Sequence, residues 1–192
     1  MIRKIGDGKH DITSIYGYNE ENGDVYYQAA ALNPHDRQVF VSHKNGKVER
    51  LTDQEGWNSA IFSGDYQFFI NTWSNYNTPY TFTLRSQRGK VLSVLLDNSK
   101  LKDKMAEYGW SKREPFTFTT SEGISLDGWM LKPNNFDPSH KYPVILFQYS
   151  GPGSQQVVDS WKAGSLGNGG AFDQYLVQQG FIVVCVDGRG TG

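Results

Sequence analysis

Cysteine and long apolar runs are almost absent from this sequence. Cys185 is the one cysteine among 192 residues, which excludes an internal disulfide and a cysteine-rich metal site. No stretch approaches the roughly 18 to 20 apolar residues that cross a bilayer, and the start, "MIRKIGDGKHD", has no apolar core of a signal peptide. We therefore expect a chain without a membrane span.

An excess of charge of either sign is also lacking. The 19 basic and 20 acidic side chains leave a net charge of -1, so electrostatics give no reason to expect nucleic acid or an anionic membrane as a partner. Aromatic residues are plentiful, at 14% of the chain, and they occur with Thr and Val in short runs that favour β-strands. The composition predicts a mainly β protein, long enough for one large domain or two small ones.

Residues 12–98 contain two similar halves. The segment "DVYYQA" at 24–29 corresponds to "DYQFFI" at 65–70, and the offset of about 41 to 43 residues between such matches is typical of four-stranded β-propeller blades. Each half divides into four short strand-like runs. We predict two tandem antiparallel blades within residues 1–98. A small sandwich or meander that repeats by chance is the alternative.

A turn signal occupies the same place in both halves. Asn45-Gly46 and Arg88-Gly89 precede the last strand-like run of each half, and Asn-Gly is favoured in two-residue hairpin turns because both residues accept positive φ. Two blades cannot close a propeller ring, which typically has 4 to 8 of them. We therefore expect further blades, either from the rest of a longer protein or from partner chains.

The hydrophobic period changes after residue 98. Leu101, Met105 and Tyr108 follow the i, i+4, i+7 spacing of a helix, and we predict a linker helix within residues 99–112. Suitable residues for its start and end are Asn98 or Ser99 as the cap and Gly109 as a left-handed stop.

Residues 113–192 predict a second architecture. Two strands joined around Glu122-Gly123 are followed by the apolar runs "VILFQY" at 144–149 and "FIVVCVD" at 181–187, with a helical segment at 169–180 between them. Because both runs are apolar throughout, they predict a strand-helix-strand unit of a parallel sheet that is buried on both faces. The helical segment is marked by Phe172 and Leu176 at i, i+4 and by Gly180 as its stop.

Two loops follow the predicted parallel strands, and such loops hold the ligands and reacting groups of open α/β sheets. The first is "YSGPGSQ" and the second is "DGRGTG". Gly188 and Gly190 have the first spacing of a G-x-G-x-x-G phosphate loop, but the sequence ends before the position of the third glycine and of the helix that the motif requires. We therefore do not predict a dinucleotide site.

A catalytic serine with its acid and base is not found either. An α/β-hydrolase needs G-x-S-x-G followed by an acid and a histidine, and this element does not occur in the sequence. Ser150 and Ser165 come closest without matching it. The four histidines all precede the two loops: His10, His35, His43 and His140. We expect no complete triad in these 192 residues.

Three motifs carry a resemblance to a known family. They are "LDNSKLKDKM" at 96–105, "KYPVILFQYSGPGSQ" at 141–155 and "VVCVDGRGTG" at 183–192. With them, residues 12–192 resemble an internal part of the dipeptidyl peptidase IV branch of the prolyl oligopeptidase family of serine peptidases. The resemblance implies the last two β-propeller blades in residues 1–98 and the truncated start of an α/β-hydrolase domain in residues 113–192.

The resemblance also implies an activity. Members are serine exopeptidases that release N-terminal dipeptides, preferably Xaa-Pro, through an acyl-enzyme and without a metal or cofactor. The implied substrate is a peptide with a free amino terminus and Pro or Ala as its second residue, and the implied parent is a periplasmic or extracellular homodimer. The nucleophile, acid and base would lie outside these residues, so we expect the chain alone to be inactive. The alternative is a non-enzymatic β-repeat interaction module.

Tyr149 is the one catalytic residue that the resemblance implies. In the family, the tyrosine at this position donates its hydroxyl to the oxyanion of the tetrahedral intermediate, and Gly151 and Pro152 would shape its loop. A phenol suits this task because its rigid ring reaches outward and stays protonated near neutral pH. The alternative is a tyrosine packed at a strand end with its hydroxyl in water. Asp187 and Arg189 could pair to shape the second loop, which supports the site in the family.

Other conspicuous side chains predict packing only. Cys185 lies between two valines of a predicted strand, where a cysteine is usually a small buried hydrophobe. The five tryptophans share no spacing and are expected in the core or against loops: Trp57, Trp73, Trp110, Trp129 and Trp161.

Overall fold

Twelve strands and two helices form the part of the chain that the structure describes. The computed structural model covers residues 5, 8–149, 151–162 and 170–191. The chain divides into two units, residues 1–98 and 99–192.

The first unit contains two four-stranded antiparallel sheets. In both sheets each strand pairs with its neighbour in the chain, so the spatial order is the order of the sequence. The first sheet consists of β1 (Ile12–Asn19), β2 (Asp24–Ala29), β3 (Gln38–Ser42) and β4 (Val48–Arg50). The second consists of β5 (Trp57–Phe62), β6 (Phe68–Asn75), β7 (Thr78–Ser86) and β8 (Val91–Leu96).

The two predicted glycine turns close their hairpins, but the type of turn differs from the prediction. Gly46 and Gly89 have φ angles of +90° and +82°, and their N–H groups donate to the carbonyls of His43 and Ser86 at 2.9 and 2.8 Å. Asn45 does not have a positive φ. Each connection is therefore a hairpin loop with glycine alone in the left-handed position, rather than a two-residue Asn-Gly turn.

Both sheets of the first unit contribute to one hydrophobic core. Tyr26, Val39 and Val41 of the first sheet pack in one cluster with Ala60 and Phe69 of the second. Burial of an aromatic or branched side chain contributes about 1.5–3 kcal/mol. The cluster therefore stabilises the packing of one sheet against the other.

A buried amide, Asn58 of β5, joins the two sheets by hydrogen bonds. Its Nδ2 donates to the carbonyls of Arg37 at 3.1 Å and Gln54 at 2.9 Å, and its own backbone carbonyl accepts from Nε2 of Gln28 at 2.6 Å. Because an unsatisfied buried amide costs about 1–3 kcal/mol, these bonds favour one position of β5 against the first sheet.

The second unit contains one mixed sheet and two helices. Its elements are α1 (Ser99–Glu107), β9 (Glu114–Thr119), β10 (Ser125–Leu131), β11 (Val144–Phe147), α2 (Ala171–Gln178) and β12 (Ile182–Val186). The strand order is β11-β12-β10-β9, with β11 and β12 parallel and the other pairs antiparallel. The predicted fold class, two four-stranded antiparallel sheets followed by an α/β part, is confirmed. β11 and β12 are parallel, as predicted, and β12 pairs antiparallel with β10 on its other side, so the sheet is mixed.

The prediction that the run at 144–149 is buried on both faces is wrong. Val144 and Leu146 of β11 are each 59% exposed, and the sheet order places β11 at an edge, with β12 as its single neighbour among the described residues. A strand that is apolar throughout is typical of a sheet interior. The described residues leave this face of β11 uncovered.

Helix α1 lies within the predicted helical segment 99–112. Gly109 follows it with a left-handed φ of +62°, as expected for a stop signal. Leu101 and Met105 are half-buried. The predicted place of Tyr108 on the same face is wrong, because this residue lies beyond the last helical residue and is 73% exposed.

Helix α2 packs through a different face from the one predicted. Phe172 is 49% exposed, whereas Gln174 and Val177 are buried. The Gln174 side chain accepts from the backbone N–H of Ser111 at 2.7 Å and donates to the carbonyl of Ser111 at 2.9 Å. The Gln174 amide therefore pairs with both backbone groups of Ser111. This pairing explains why Gln174 is buried while Phe172 is exposed.

Candidate active site

Tyr149 lies just beyond the carboxyl end of β11. The strand ends at Phe147, and Tyr149 is 61% exposed, so this residue is accessible to a molecule in solution. This is the end of a parallel strand pair at which ligands gather in α/β sheets.

Tyr149 begins a loop that we call the tyrosine loop, residues 149–157, in which residue 150 is not described. Ser154 turns the loop back on itself, because its N–H donates to the carbonyl of Gly151 at 3.2 Å and its hydroxyl donates to the same carbonyl. The Ser154 hydroxyl also lies 3.5 Å from the carbonyl of Tyr149. Gly151 is beside the tyrosine ring, since a Cβ there would be 3.6 Å from Cε1 of Tyr149. Pro152 is exposed at the tip.

The tyrosine loop contacts a second loop, the glycine loop, residues 187–191. The N–H of Gly153 donates to the carbonyl of Gly190 at 3.3 Å. Both glycines have positive φ, +68° and +77°, which a residue with a Cβ rarely adopts. The carbonyl of Gly188 accepts from the Thr191 hydroxyl at 3.1 Å. The two glycines of the G-x-G spacing are thus engaged in contacts with neighbouring backbone and side-chain groups.

Asp187 joins the two loops more firmly. Asp187 is buried, and both of its carboxylate oxygens accept from the N–H of Gln156 at 3.0 Å. Oδ2 also accepts from the N–H of Val157 at 2.8 Å, and the Val157 side chain is fully buried. Hydrogen bonds to a charged group contribute about 1.5–3 kcal/mol. The far end of the tyrosine loop is therefore fastened to the end of β12.

The predicted pairing of Asp187 with Arg189 is wrong. The Arg189 guanidinium instead lies 3.4 Å from a carboxylate oxygen of Glu122, and both of these side chains are exposed. Exposed pairs of this kind contribute about 0–1 kcal/mol. Asp187 cannot serve Arg189 because its oxygens point inward to backbone N–H groups. The sequence signal for the role of Asp187 as an acceptor of backbone N–H groups is an acidic residue directly after an apolar strand.

Cys185 lies on β12 beneath the glycine loop and is fully buried, as predicted. It pairs across the sheet with Trp129, which is also fully buried. Burial, and after it the negative charge of Asp187, raise the pKa of the Cys185 thiol to about 12. The thiol is therefore neutral at physiological pH and does not supply a nucleophile.

The described histidines have partners of their own. His43 in the first unit lies 3.0 Å from Oδ2 of Asp24 through Nδ1, and His140 in the second unit lies 3.0 Å from Oδ2 of Asp137. Ser150 and Ser165, the nearest sequence matches to a nucleophile, lie outside the described residues.

The described residues contain neither a cluster of metal-ligating side chains nor a helix that could span a membrane. Within residues 8–149, 151–162 and 170–191, no three His, Cys, Asp or Glu side chains are placed to hold a metal ion. None of the helices in this part of the chain combines the length and the hydropathy needed to cross a membrane.

Two loops that meet beyond a pair of parallel strands, one of them with an exposed tyrosine, define the ligand end of an α/β sheet. Two antiparallel four-stranded sheets precede it in the chain. The chain is similar to known proteins. Residues 1–80 match the model of the dipeptidyl peptidase IV N-terminal region.

The similarity extends over the whole chain. The crystal structure of dipeptidyl peptidase 4 from Porphyromonas gingivalis matches with a TM-score of 0.90 and 38% sequence identity, over 100% of this chain and 26% of that one. Dipeptidyl peptidase 4 of Arthroderma otae is 28% identical over 193 residues, which is 96% of this chain and 24% of the relative. The resemblance to the dipeptidyl peptidase IV family is confirmed. The chain spans about a quarter of the length of these relatives.

Proposed function

We propose that the chain is part of a serine dipeptidyl peptidase that releases N-terminal dipeptides, preferably Xaa-Pro, and that Tyr149 donates a hydrogen bond to the oxyanion of its transition state. The position of Tyr149 carries the proposal: an exposed phenol directly after β11, on a loop that is fastened to the neighbouring strand. Two of the relatives described above are named dipeptidyl peptidase 4, which supports a peptidase.

The proposed chemistry begins when a serine hydroxyl attacks the scissile carbonyl and transfers its proton to a base. The carbonyl oxygen becomes negatively charged, and the Tyr149 hydroxyl donates to it. The intermediate then collapses, the amine leaves with a proton, and the dipeptide remains as an ester on the serine. Water releases the dipeptide through a second oxyanion that the same donor stabilises. We assign the nucleophile, acid and base to no residue of this chain.

The geometry suits such a donor because the loop is held before substrate binds. A hydrogen-bond donor accelerates the reaction when it is already aimed at the place where charge develops, so that no reorganisation is needed during the reaction. The hydrogen bonds within the tyrosine loop and to the glycine loop supply this constraint. The proposed substrate is a peptide with a free amino terminus and Pro or Ala as its second residue, and the proposed parent is a homodimer.

The test uses the full-length protein that contains this chain, with Gly-Pro p-nitroanilide as substrate. We expect Tyr149→Phe to lower kcat by about 10²- to 10³-fold, or roughly 3–4 kcal/mol, with a much smaller change in KM, because the ground-state carbonyl does not occupy the oxyanion position. Tyr175→Phe is the matched control, since this tyrosine of α2 is 56% exposed and loses the same hydroxyl.

Two results would count against the proposal. A lowered Tm with unchanged kcat in Tyr149→Phe would mean that Tyr149 only packs at the strand end. A purified wild-type protein that cleaves no dipeptide amide would leave the interaction module as the better description.

A further inference from the structure

We infer that Asp187 is a positioning residue for catalysis, which holds the tyrosine loop so that the Tyr149 hydroxyl is aimed at the oxyanion. This inference rests on the proposed function of Tyr149. It goes further because it assigns a role to a buried carboxylate that does not itself touch the substrate.

Asp187 holds the tyrosine loop by hydrogen bonds. The residue is 8% exposed, and its carboxylate accepts from two consecutive backbone N–H groups, those of Gln156 and Val157, at 2.8 to 3.0 Å. The N–H of Asp187 donates in turn to the carbonyl of Asp127 on β10 at 3.1 Å. The anchor is therefore part of the sheet framework and is not a mobile surface group.

Further hydrogen bonds connect the residues held by Asp187 to Tyr149. The side-chain Nε2 of Gln156 donates to the carbonyl of Ser154 at 3.3 Å, and the Ser154 hydroxyl donates to the carbonyl of Gly151 and lies 3.5 Å from that of Tyr149. Each contact reaches a residue that is closer to the tyrosine in the chain. The Gly153 N–H, bonded to the Gly190 carbonyl, holds the middle of the same loop. The tyrosine loop is thus fixed at one end by β11 and at the other by Asp187.

The anchor needs both acceptor oxygens of the Asp187 carboxylate. One carboxylate oxygen accepts two N–H groups, and the other accepts one of the same pair. In Asp187→Asn one oxygen becomes an NH₂ group, which places two donors face to face at the Gln156 N–H. The fold keeps its volume, but the loop loses part of its anchor. A misplacement of about 1 Å at a reacting group is enough to cost about 10²-fold in rate.

The experiment is a double-mutant cycle in the full-length protein, with kcat and KM measured on Gly-Pro p-nitroanilide. We expect Asp187→Asn to lower kcat by about 10- to 100-fold with little change in KM. In the Tyr149→Phe background the same substitution should lower kcat by less than about 2-fold, because the donor that it positions is already gone. Asp137→Asn is the matched control: this aspartate also accepts a backbone N–H, from Ser139 at 2.9 Å, on an exposed turn.

The outcomes separate the two proposals. Equal losses from Asp187→Asn in both backgrounds would reject the positioning role and leave Tyr149 as a donor. An unchanged kcat in Tyr149→Phe alone would reject the role of Tyr149 and this inference with it. Amide hydrogen exchange of the wild type provides a reading that does not depend on a folded variant. We expect slow exchange at Gln156 and Val157, and exchange there at the rate of an open loop would overturn the inference.

Discussion

Replacing Gly89 with alanine is expected to destabilise the first unit much more than the same change at Gly46. The two glycines occupy equivalent places in the two sheets, and both have a positive φ, +82° and +90°. A Cβ added at Gly46 would meet nothing within 4 Å, whereas one at Gly89 would lie 2.3 Å from the carbonyl oxygen of Leu51. The pair therefore separates the cost of the backbone angle from the cost of a collision.

The magnitudes follow from these distances. A left-handed backbone costs an L-residue about 1–2 kcal/mol, and alanine regains about 0.4–1 kcal/mol by restricting the unfolded chain. Gly46→Ala should therefore cost about 1 kcal/mol. At Gly89 the colliding atom belongs to the backbone of Leu51, a buried core residue whose N–H is bonded to the carbonyl of Val39 at 2.8 Å. Overpacking adds about 1–3 kcal/mol, so Gly89→Ala should cost about 2–4 kcal/mol.

The measurement is urea denaturation of the 192-residue chain, followed by far-ultraviolet circular dichroism. Hydrogen exchange on peptides from residues 78–98 assigns the transition to the first unit. Equal losses of stability for the two variants would refute the reasoning, because they would mean that the Leu51 carbonyl does not limit the space at Gly89.

Three further predictions concern single groups and the isolated chain. The Cys185 thiol, with its pKa raised to about 12 by burial, should resist an aromatic disulfide reagent at pH 8 in the native chain and react in urea; rapid native labelling would contradict its burial. Burial also raises the pKa of Asp36, so ionisation of Asp36 disfavours the folded state. This penalty is absent below the ordinary carboxyl pKa, grows between the ordinary and the raised pKa, and is complete above the raised one. Asp36→Asn should therefore have a higher Tm than the wild type at pH 7 and lose this advantage near about pH 3; an advantage that grows in acid would show that the sign is wrong. The 192-residue chain alone should not hydrolyse Gly-Pro p-nitroanilide, because a donor without nucleophile and base has no transition state to stabilise; hydrolysis that is lost in Tyr149→Phe would mean that a catalytic group in these residues was overlooked.

The features that were predictable from the sequence are local ones. Each strand of the first unit pairs with its neighbour in the chain, so the repeat, the alternating runs and the glycines at 46 and 89 were enough to predict the two sheets. The strand-helix-strand pattern of the second unit was equally visible. The type of hairpin turn was mispredicted because the Asn-Gly preference does not determine the backbone angle of Asn45.

The features that were missed depend on contacts between distant residues. Gln174 is buried because it bonds Ser111, 63 residues away, and no helical period shows such a partner. Asp187 was singled out as a loop residue, but its acceptor role depends on N–H groups about 30 residues earlier. The edge position of β11 depends on where β12 inserts, which the apolar run at 144–149 does not encode.

The strand order of the second unit also constrains the order in which its strands can pair during synthesis. β10 and β11 follow each other in the chain but do not pair; β12 lies between them. Among the described strands, the apolar β11 therefore has no partner until residue 186 has emerged from the ribosome, and one edge of β10 stays open until then. The hairpins of the first unit need only adjacent segments and can close as soon as they are made. Unpaired apolar edges are sites of aggregation, and the nascent chain exposes such edges in the interval between the synthesis of β11 and that of β12.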